Sequence, residues 1–134
     1  MKKNRQITFK SLLIPISALL LVGLNNAVLA DEKPIDSYYA RLSKQDHYNS
    51  AGNLLTKVEG IIQQDRANVY VFEREDYEDN QDFFFANKDN RALIGTLIAN
   101  STLDENTAAK IINGTPLVFV KIYKGYLNIT VVSE

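Results

Sequence analysis

The segment PLVFVKIYKGYLNITVV, residues 116–132, decides the fold of this chain. Two runs rich in β-branched and aromatic residues flank Lys124-Gly125, and a two-residue connection between such runs predicts an antiparallel β-hairpin. This turn pairs Tyr123 with Tyr126 on one face of the hairpin. The alternate residues of the two strands, counted from Ile122 backwards and from Leu127 onwards, then lie on the opposite face. Those residues are all aliphatic: Val118, Val120, Ile122, Leu127, Ile129 and Val131. A slip by one residue would exchange the two faces, so the pattern also predicts the register.

Three helices are predicted upstream of the hairpin, because signals typical of helix starts precede apolar residues at helical spacing. The signals are a Thr56/Glu59 capping box, an Asn87 cap and a Thr102/Glu105 capping box. The first helix is expected over about residues 57–68. The third is expected to reach Ile112 and to stop at Asn113-Gly114 in the left-handed conformation.

The remaining segments are predicted as strands and loops. Weak alternation over residues 37–43 and the β-branched and aromatic content of 69–74 each predict a strand. The polar stretch 44–53 and the acidic stretch 73–82 predict loops. The resulting order, β-α-β-α-α-β-β, indicates an α+β fold. We expect an antiparallel-rich sheet, made of the C-terminal hairpin plus one or two N-terminal strands, with about three helices packed on one face.

Residues 1–30 have the pattern of a secretory signal peptide. A positively charged start precedes an apolar run, and Val28 and Ala30 supply the small residues that a cleavage site requires at positions −3 and −1. We therefore expect cleavage after Ala30, a flexible leader at 31–37 and a single α+β domain at 38–134. The apolar run is shorter than the roughly 20 residues of a membrane span. We accordingly expect a periplasmic or secreted protein with no stable membrane anchor after cleavage.

Cysteine content and charge exclude several classes of function. The chain has no cysteine and one histidine, so it cannot hold a disulfide, a lipidated cysteine, or a thiolate or His-rich zinc site. Removal of residues 1–30 would leave 11 Lys and Arg against 16 Asp and Glu, a formal charge of −5. An acidic domain is a poor ligand for nucleic acid or an anionic membrane. No cofactor is expected, whereas a protein or small-molecule partner and the oligomeric state stay open.

Two short strings echo each other: QDHYN at residues 45–49 and QDRAN at 64–68. Asp46 adjoins the lone histidine, His47, and histidine is the side chain that transfers protons near neutral pH. A small periplasmic hydrolase that uses His47 with Asp46 or Asp65 is therefore one hypothesis. Asp65 also continues the apolar stripe of the first helix, where a buried carboxylate needs a partner. The structural alternative, which we favour, is a polar loop tied to the helix through Asp65.

The acidic stretch carries oxygen donors at alternate positions, as the first part of an EF-hand calcium loop does. These donors are Asp76, Glu78, Asn80 and Asp82. The match then fails, because Gln81 stands in the place of the turn glycine and Asn87 in the place of the bidentate glutamate. A weak calcium-dependent surface module is a further hypothesis, and a solvated loop is the favoured alternative.

The second face of the predicted hairpin carries residue types that anchor interfaces. Phe119, Tyr123 and Tyr126 alternate there with Lys121 and Asn128. These side chains would form a binding surface unless a loop covers them. Our leading hypothesis is a non-enzymatic domain that binds a partner or ligand through this surface, as an inhibitor or immunity-type protein would.

Four segments of the chain resemble a group of small exported proteins of Gram-negative bacteria. They contain the strings QDH-x-N-S, QDRAN, FF…NR and NGTPL, and they lie at residues 41–55, 61–72, 83–92 and 113–123. The resemblance implies a periplasmic or secreted setting. It implies no particular activity, so it transfers neither a catalytic residue nor a ligand to this chain.

Overall fold

A three-stranded antiparallel sheet is the frame of the structure. The computed structural model describes residues 32–134, and the expected signal peptide at 1–30 lies outside the described residues. The strands are β1 (Asp36–Arg41), β2 (Leu117–Ile122) and β3 (Leu127–Ser133), in the spatial order β1-β2-β3. The helices are a short 3-10 helix (Lys44–His47), α1 (Val58–Tyr70), α2 (Lys88–Arg91), α3 (Ile94–Ala99) and α4 (Glu105–Asn113). The predicted α+β fold is confirmed.

The C-terminal hairpin forms in the predicted register. Phe119 lies opposite Thr130 and Lys121 opposite Asn128, and the turn is closed by the Tyr123 N–H, which donates to the carbonyl oxygen of Tyr126 at 3.0 Å. β1 pairs antiparallel with the other side of β2. Because β1 begins at Asp36, the end of the segment expected as a flexible leader, 31–37, is part of the sheet.

The aliphatic face of the sheet lies in the core, as its pattern predicts. The fully buried sheet residues are Tyr38, Ala40, Val118, Val120, Ile122 and Leu127. They belong to one hydrophobic cluster with Ile61 and Ile62 of α1 and Ile111 of α4. Burial of each aliphatic side chain of this size contributes roughly 1.5–3 kcal/mol. Within residues 32–134, no helix has the length and apolar content needed to cross a membrane.

The strand predicted over residues 69–74 is wrong. Helix α1 instead continues to Tyr70, because Val69 falls on its buried side and the Tyr70 hydroxyl donates to the backbone oxygen of Asp82 at 2.6 Å. Beyond the helix, Phe72 is exposed and Glu73 has a φ of 54°. Strand propensity depends on packing partners, and here the helical contacts of Val69 and Tyr70 outweigh it.

The two predicted capping boxes are also wrong. Helix α1 follows Lys57, which makes no capping hydrogen bond through its side chain, rather than Thr56. Helix α4 is capped by Asp104, whose carboxylate accepts from the Thr107 N–H at 2.9 Å. Both starts lie within two residues of the predicted ones, since several polar residues near each start compete for the cap position.

The Asn87 cap is confirmed, because its side chain accepts from the backbone N–H of Asp89 at 2.8 Å. The helix that it starts is split into α2 and α3. Helix α4 ends at Asn113, close to the predicted end, but Gly114 has a φ of −124° and is not left-handed. Glycine is needed there for another reason: a Cβ atom would lie 2.9 Å from the carbonyl oxygen of Lys110.

Candidate functional sites

The sheet surface that faces away from the helices carries two stacked aromatic pairs. We call this surface the outer face and define it by Tyr39, Phe119, Lys121, Tyr123, Tyr126 and Asn128. Tyr39 stacks on Phe119 and Tyr123 stacks on Tyr126, each with ring centroids 4.6 Å apart. All six side chains are at least partly exposed, and Tyr39 keeps 40% of its surface accessible. Phe119, Lys121, Tyr123 and Tyr126 are partly buried, whereas Tyr39 and Asn128 are exposed.

Lys121 lies between the two aromatic pairs. It faces Ser37 on β1 and Asn128 on β3, and its Nζ atom lies 5.8 Å from the centroid of the Phe119 ring. It forms no ion pair within residues 32–134. At the margin of the sheet, by contrast, Arg41 forms a two-pronged ion pair with Glu78, at 2.6 and 2.8 Å. The outer face therefore presents a positive charge between planar apolar rings.

Asp46 is a buried carboxylate with a structural role, and it lies in the 3-10 helix that follows β1. It is 1% exposed, and its Oδ2 atom accepts from the Ser43 N–H at 2.8 Å while Oδ1 accepts from the Asn68 side-chain amide at 2.7 Å. Burial raises its pKa to about 6, although the hydrogen bonds from Asn68 and Ser43 oppose the shift. The loop at 44–53 is thus tied to α1 through Asp46 and Asn68, and not through Asp65 as expected.

The ring of His47 lies between two backbone carbonyl oxygens, and a neutral imidazole donates a hydrogen bond to one of them. Its Nδ1 atom lies 2.9 Å from the oxygen of Ser43, and its Nε2 atom lies 2.8 Å from the oxygen of Ile111. It borders a surface depression of about 370 Å³ whose lining contains no aspartate or glutamate. The ring lies between the 3-10 helix and the last turn of α4.

Asp65 belongs to a buried ion cluster centred on Arg66. The Arg66 side chain is 0% exposed; its Nε atom donates to Asp65 at 2.7 Å and its Nη1 atom to Asp82 at 3.1 Å. The guanidinium carbon lies 4.0 Å from the centroid of the Tyr38 ring, a cation–π contact. Burial raises the pKa of Asp65 to about 7, and the attraction of Arg66 opposes that rise. The burial of Asp65 beside a partner agrees with the apolar stripe of the first helix, whereas no sequence signal marked Tyr38 as a member of the cluster.

The oxygen donors of the acidic stretch are engaged separately. Glu78 pairs with Arg41, the Asn80 backbone oxygen and the Asp82 carboxylate accept from Arg66, and Asp76 accepts from Gln45 at 3.3 Å. Asp82 is buried, so the stretch is not solvated along its whole length. Residues 32–134 contain no group of three or more His, Cys, Asp or Glu side chains that could hold a metal ion.

These features define a small α+β domain with helices on one face of an antiparallel sheet and partly exposed aromatic pairs on the other. Comparisons with protein families, with curated proteins and with solved structures found no match.

Proposed function

We propose that this protein is an exported, non-enzymatic binding domain of the inhibitor or immunity type, and that it docks a protein partner on the outer face. The observation that supports this proposal most directly is the pair of stacked aromatic contacts on either side of Lys121. Tyrosine and phenylalanine supply large, rigid contact areas at a low cost in side-chain entropy. Both residues are enriched at interfaces, and tyrosine is also enriched among the residues that dominate binding energy there.

The charge of the outer face indicates the chemistry of the partner. Residues 32–134 contain 11 Lys and Arg against 15 Asp and Glu, so the domain as a whole is acidic. Lys121 is nevertheless a cation without an ion-pair partner in the described part of the chain, at the centre of the aromatic surface. Charges at an interface are arranged to be complementary. The partner therefore presents a carboxylate to Lys121, together with apolar or planar side chains that cover the tyrosine and phenylalanine rings.

The geometry of the candidate catalytic residues favours binding over hydrolysis. Both ring nitrogens of His47 face backbone carbonyl oxygens, and Asp46 and Asp65 are engaged by Asn68 and Arg66. Each of these side chains thus has a structural partner. The outer-face side chains, in contrast, do not belong to the hydrophobic core cluster.

Affinity capture with matched variants tests the proposal. The full chain, with a C-terminal tag, is expressed so that its own N-terminus directs it, and the complexes are isolated from the compartment in which it accumulates. Three baits are compared: the wild type, Tyr123→Ala/Tyr126→Ala, and the control Tyr77→Ala/Phe83→Ala. The control changes two aromatic residues that are almost fully exposed and lie outside the outer face.

We expect one protein to be retained by the wild type and the control and to be depleted at least about tenfold with the outer-face variant. Lys121→Glu should weaken the same complex, most strongly at low salt, because screening is then weakest. Retention of the same proteins by all three baits would contradict the proposal, as would a partner whose affinity is unchanged by Lys121→Glu. Circular dichroism and thermal unfolding of each variant establish that it is folded.

A further inference from the structure

The two echoing strings meet at one cleft. It has a volume of about 310 Å³, and the first and last residue of each string line it: Gln45 and Asn49 from 45–49, and Gln64 and Asn68 from 64–68. Both strings, QDHYN and QDRAN, therefore contribute side chains to the same cleft. They do not meet in this way in the hydrophobic core or on the outer face. Its walls offer mainly side-chain amides, which both donate and accept hydrogen bonds.

The amides at the bottom of the cleft are anchored in the core. The Gln64 amide donates to the side-chain oxygen of Asn68 at 2.9 Å, and the Asn68 amide donates to buried Asp46 at 2.7 Å. Asn68 itself is only 3% exposed. This chain of hydrogen bonds fixes the orientation of the amides before any ligand arrives, and such preorganisation lowers the entropic cost of binding.

Two aromatic rings and one arginine complete the rim. Tyr48 and Phe72 are 39% and 42% exposed, and both line the cleft with Arg74. The backbone of Glu73 takes a φ of 54° between Phe72 and Arg74, a conformation that is rare for a residue with a side chain and that recurs at binding sites. The Arg74 guanidinium lies 5.8 Å from the centroid of the Phe72 ring. It makes no hydrogen bond or ion pair within residues 32–134.

We propose that this cleft binds a sugar ring that carries one carboxylate. The side-chain oxygens of Gln45 and Gln64 accept from ring hydroxyls, and the side-chain amide nitrogen of Asn49 donates to one. These atoms make no hydrogen bond within residues 32–134, whereas both polar atoms of Asn68 are already used. The rings of Tyr48 and Phe72 cover the apolar C–H face of the sugar. Arg74 pairs with the carboxylate, which matches the fork of the guanidinium. The cleft has one cation, so it suits a single negative charge rather than a polyphosphate, and its volume lies near the lower limit of ligand pockets.

Titrations followed by amide NMR spectra of the whole protein test this site. The probes are two acidic sugars, galacturonic acid and N-acetylmuramic acid, their neutral counterparts galactose and N-acetylglucosamine, and lactate as a carboxylate without a sugar ring. We expect the acidic sugars to shift amide resonances within 45–53 and 64–74. The neutral sugars should bind at least about tenfold more weakly, and lactate should bind more weakly still.

Two substitutions separate the contributions of charge and ring. Arg74→Gln should weaken the acidic sugars about tenfold and leave the neutral sugars unchanged, whereas Phe72→Ala should weaken both classes. The control Tyr77→Ala should change neither. The proposal is overturned if no acidic sugar shifts these resonances at millimolar concentration, if lactate binds as well as the acidic sugars, or if Arg74→Gln has no effect. Each of these results is independent of whether the outer face binds a protein.

Discussion

The side-chain amide of Asn68 donates a hydrogen bond of 2.7 Å to the buried Oδ1 atom of Asp46. The bond joins α1 to the 3-10 helix, and these two residues belong to the two echoing strings. The bond also connects the two segments that line the cleft, 45–49 and 64–68. The 3-10 helix that contains Asp46 also contains His47, whose ring contacts the Ile111 carbonyl oxygen. One short contact thus supports both the local fold and the proposed sugar site.

Loss of this bond should be costly, because the carboxylate oxygen of Asp46 would stay buried without its donor. We expect Asn68→Ala to lower the free energy of unfolding by about 1–3 kcal/mol, measured by urea denaturation. Gln64→Ala, which removes a partly exposed bond to Asn68, should cost less than about 1 kcal/mol. The pair Asp46→Ala and Asn68→Ala should couple by at least about 0.5 kcal/mol in a double-mutant cycle. Strict additivity would show that the bond does not contribute to stability.

Arg66 neutralises two buried carboxylates, so its removal should destabilise the protein strongly. Arg66→Met leaves Asp65 and Asp82 without their cation, and we expect a loss of about 3–5 kcal/mol in the free energy of unfolding, or no folded protein. Arg74→Met, at an exposed arginine without an ion pair in the described residues, is the control and should change stability by less than about 0.5 kcal/mol. Equal effects of the two substitutions would refute the structural importance of the cluster.

The Tyr38 hydroxyl should be dispensable although its ring is not. Tyr38 is buried against Arg66, yet its hydroxyl has no hydrogen-bond partner in the described part of the chain. Tyr38→Phe keeps the ring and removes an unsatisfied polar group, so its free energy of unfolding should stay within about 0.5 kcal/mol of the wild type or rise. Tyr38→Ala should lose about 3–5 kcal/mol, since it leaves a cavity. A cost above about 1 kcal/mol for Tyr38→Phe would mean that the hydroxyl is bonded.

Stability should fall as pH rises through the neutral range. Burial raises the pKa of Asp46 to about 6, whereas an unfolded aspartate titrates near about 3.9. Between these values the folded state binds more protons than the unfolded state, so each proton lost on raising the pH destabilises the fold. For Asp46 alone the effect approaches about 3 kcal/mol between pH about 4 and pH about 7.

Urea unfolding at constant ionic strength, at pH about 5 and pH about 7.5, measures this effect. We expect the lower free energy of unfolding at the higher pH. Glu78 and Asp104 have lowered pKa values because of hydrogen bonds from Arg41 and Thr107, so they lose stabilisation only in more acidic solution. A free energy of unfolding that increases from the lower to the higher pH would contradict the burial of an ionisable Asp46.

The hairpin could be predicted from sequence because its signal is local and redundant. Alternation, the two-residue turn at Lys124-Gly125 and the purely aliphatic face all indicate the same register, and the structure confirms it. The exact helix starts and the conformation of residues 69–74 are harder to predict from sequence. Competing polar residues surround each helix start. The helical conformation of Val69 and Tyr70 depends on a contact with Asp82, which lies twelve residues beyond Tyr70 in the chain.

The outer face could be predicted in part, and so could the ion cluster, because the apolar stripe of the first helix indicates that Asp65 is buried with a partner. Phe119, Tyr123 and Tyr126 follow from hairpin alternation, whereas the stacking of Tyr39 on Phe119 depends on the pairing of β1 with β2. Asp65 and Arg66 are adjacent on a helix, where neighbouring side chains do not usually face each other. Their contact forms because Asp82 and Tyr38 surround the guanidinium from other parts of the chain.

The central claim, that the outer face is where a protein partner docks, can be tested by site-specific cross-linking. The chain has no cysteine, so Asn128→Cys introduces a single attachment point for a photoactivatable maleimide on the outer face. Asn106→Cys, at an exposed position of α4, is the control. The labelled proteins are irradiated with the captured partner, with and without unlabelled competitor.

We predict one cross-linked product from position 128 and none from position 106. Unlabelled wild type should suppress it, whereas Tyr123→Ala/Tyr126→Ala should not. Equal cross-linking from both positions, or equal suppression by the wild type and by the tyrosine variant, would contradict the claim that the partner docks on the outer face.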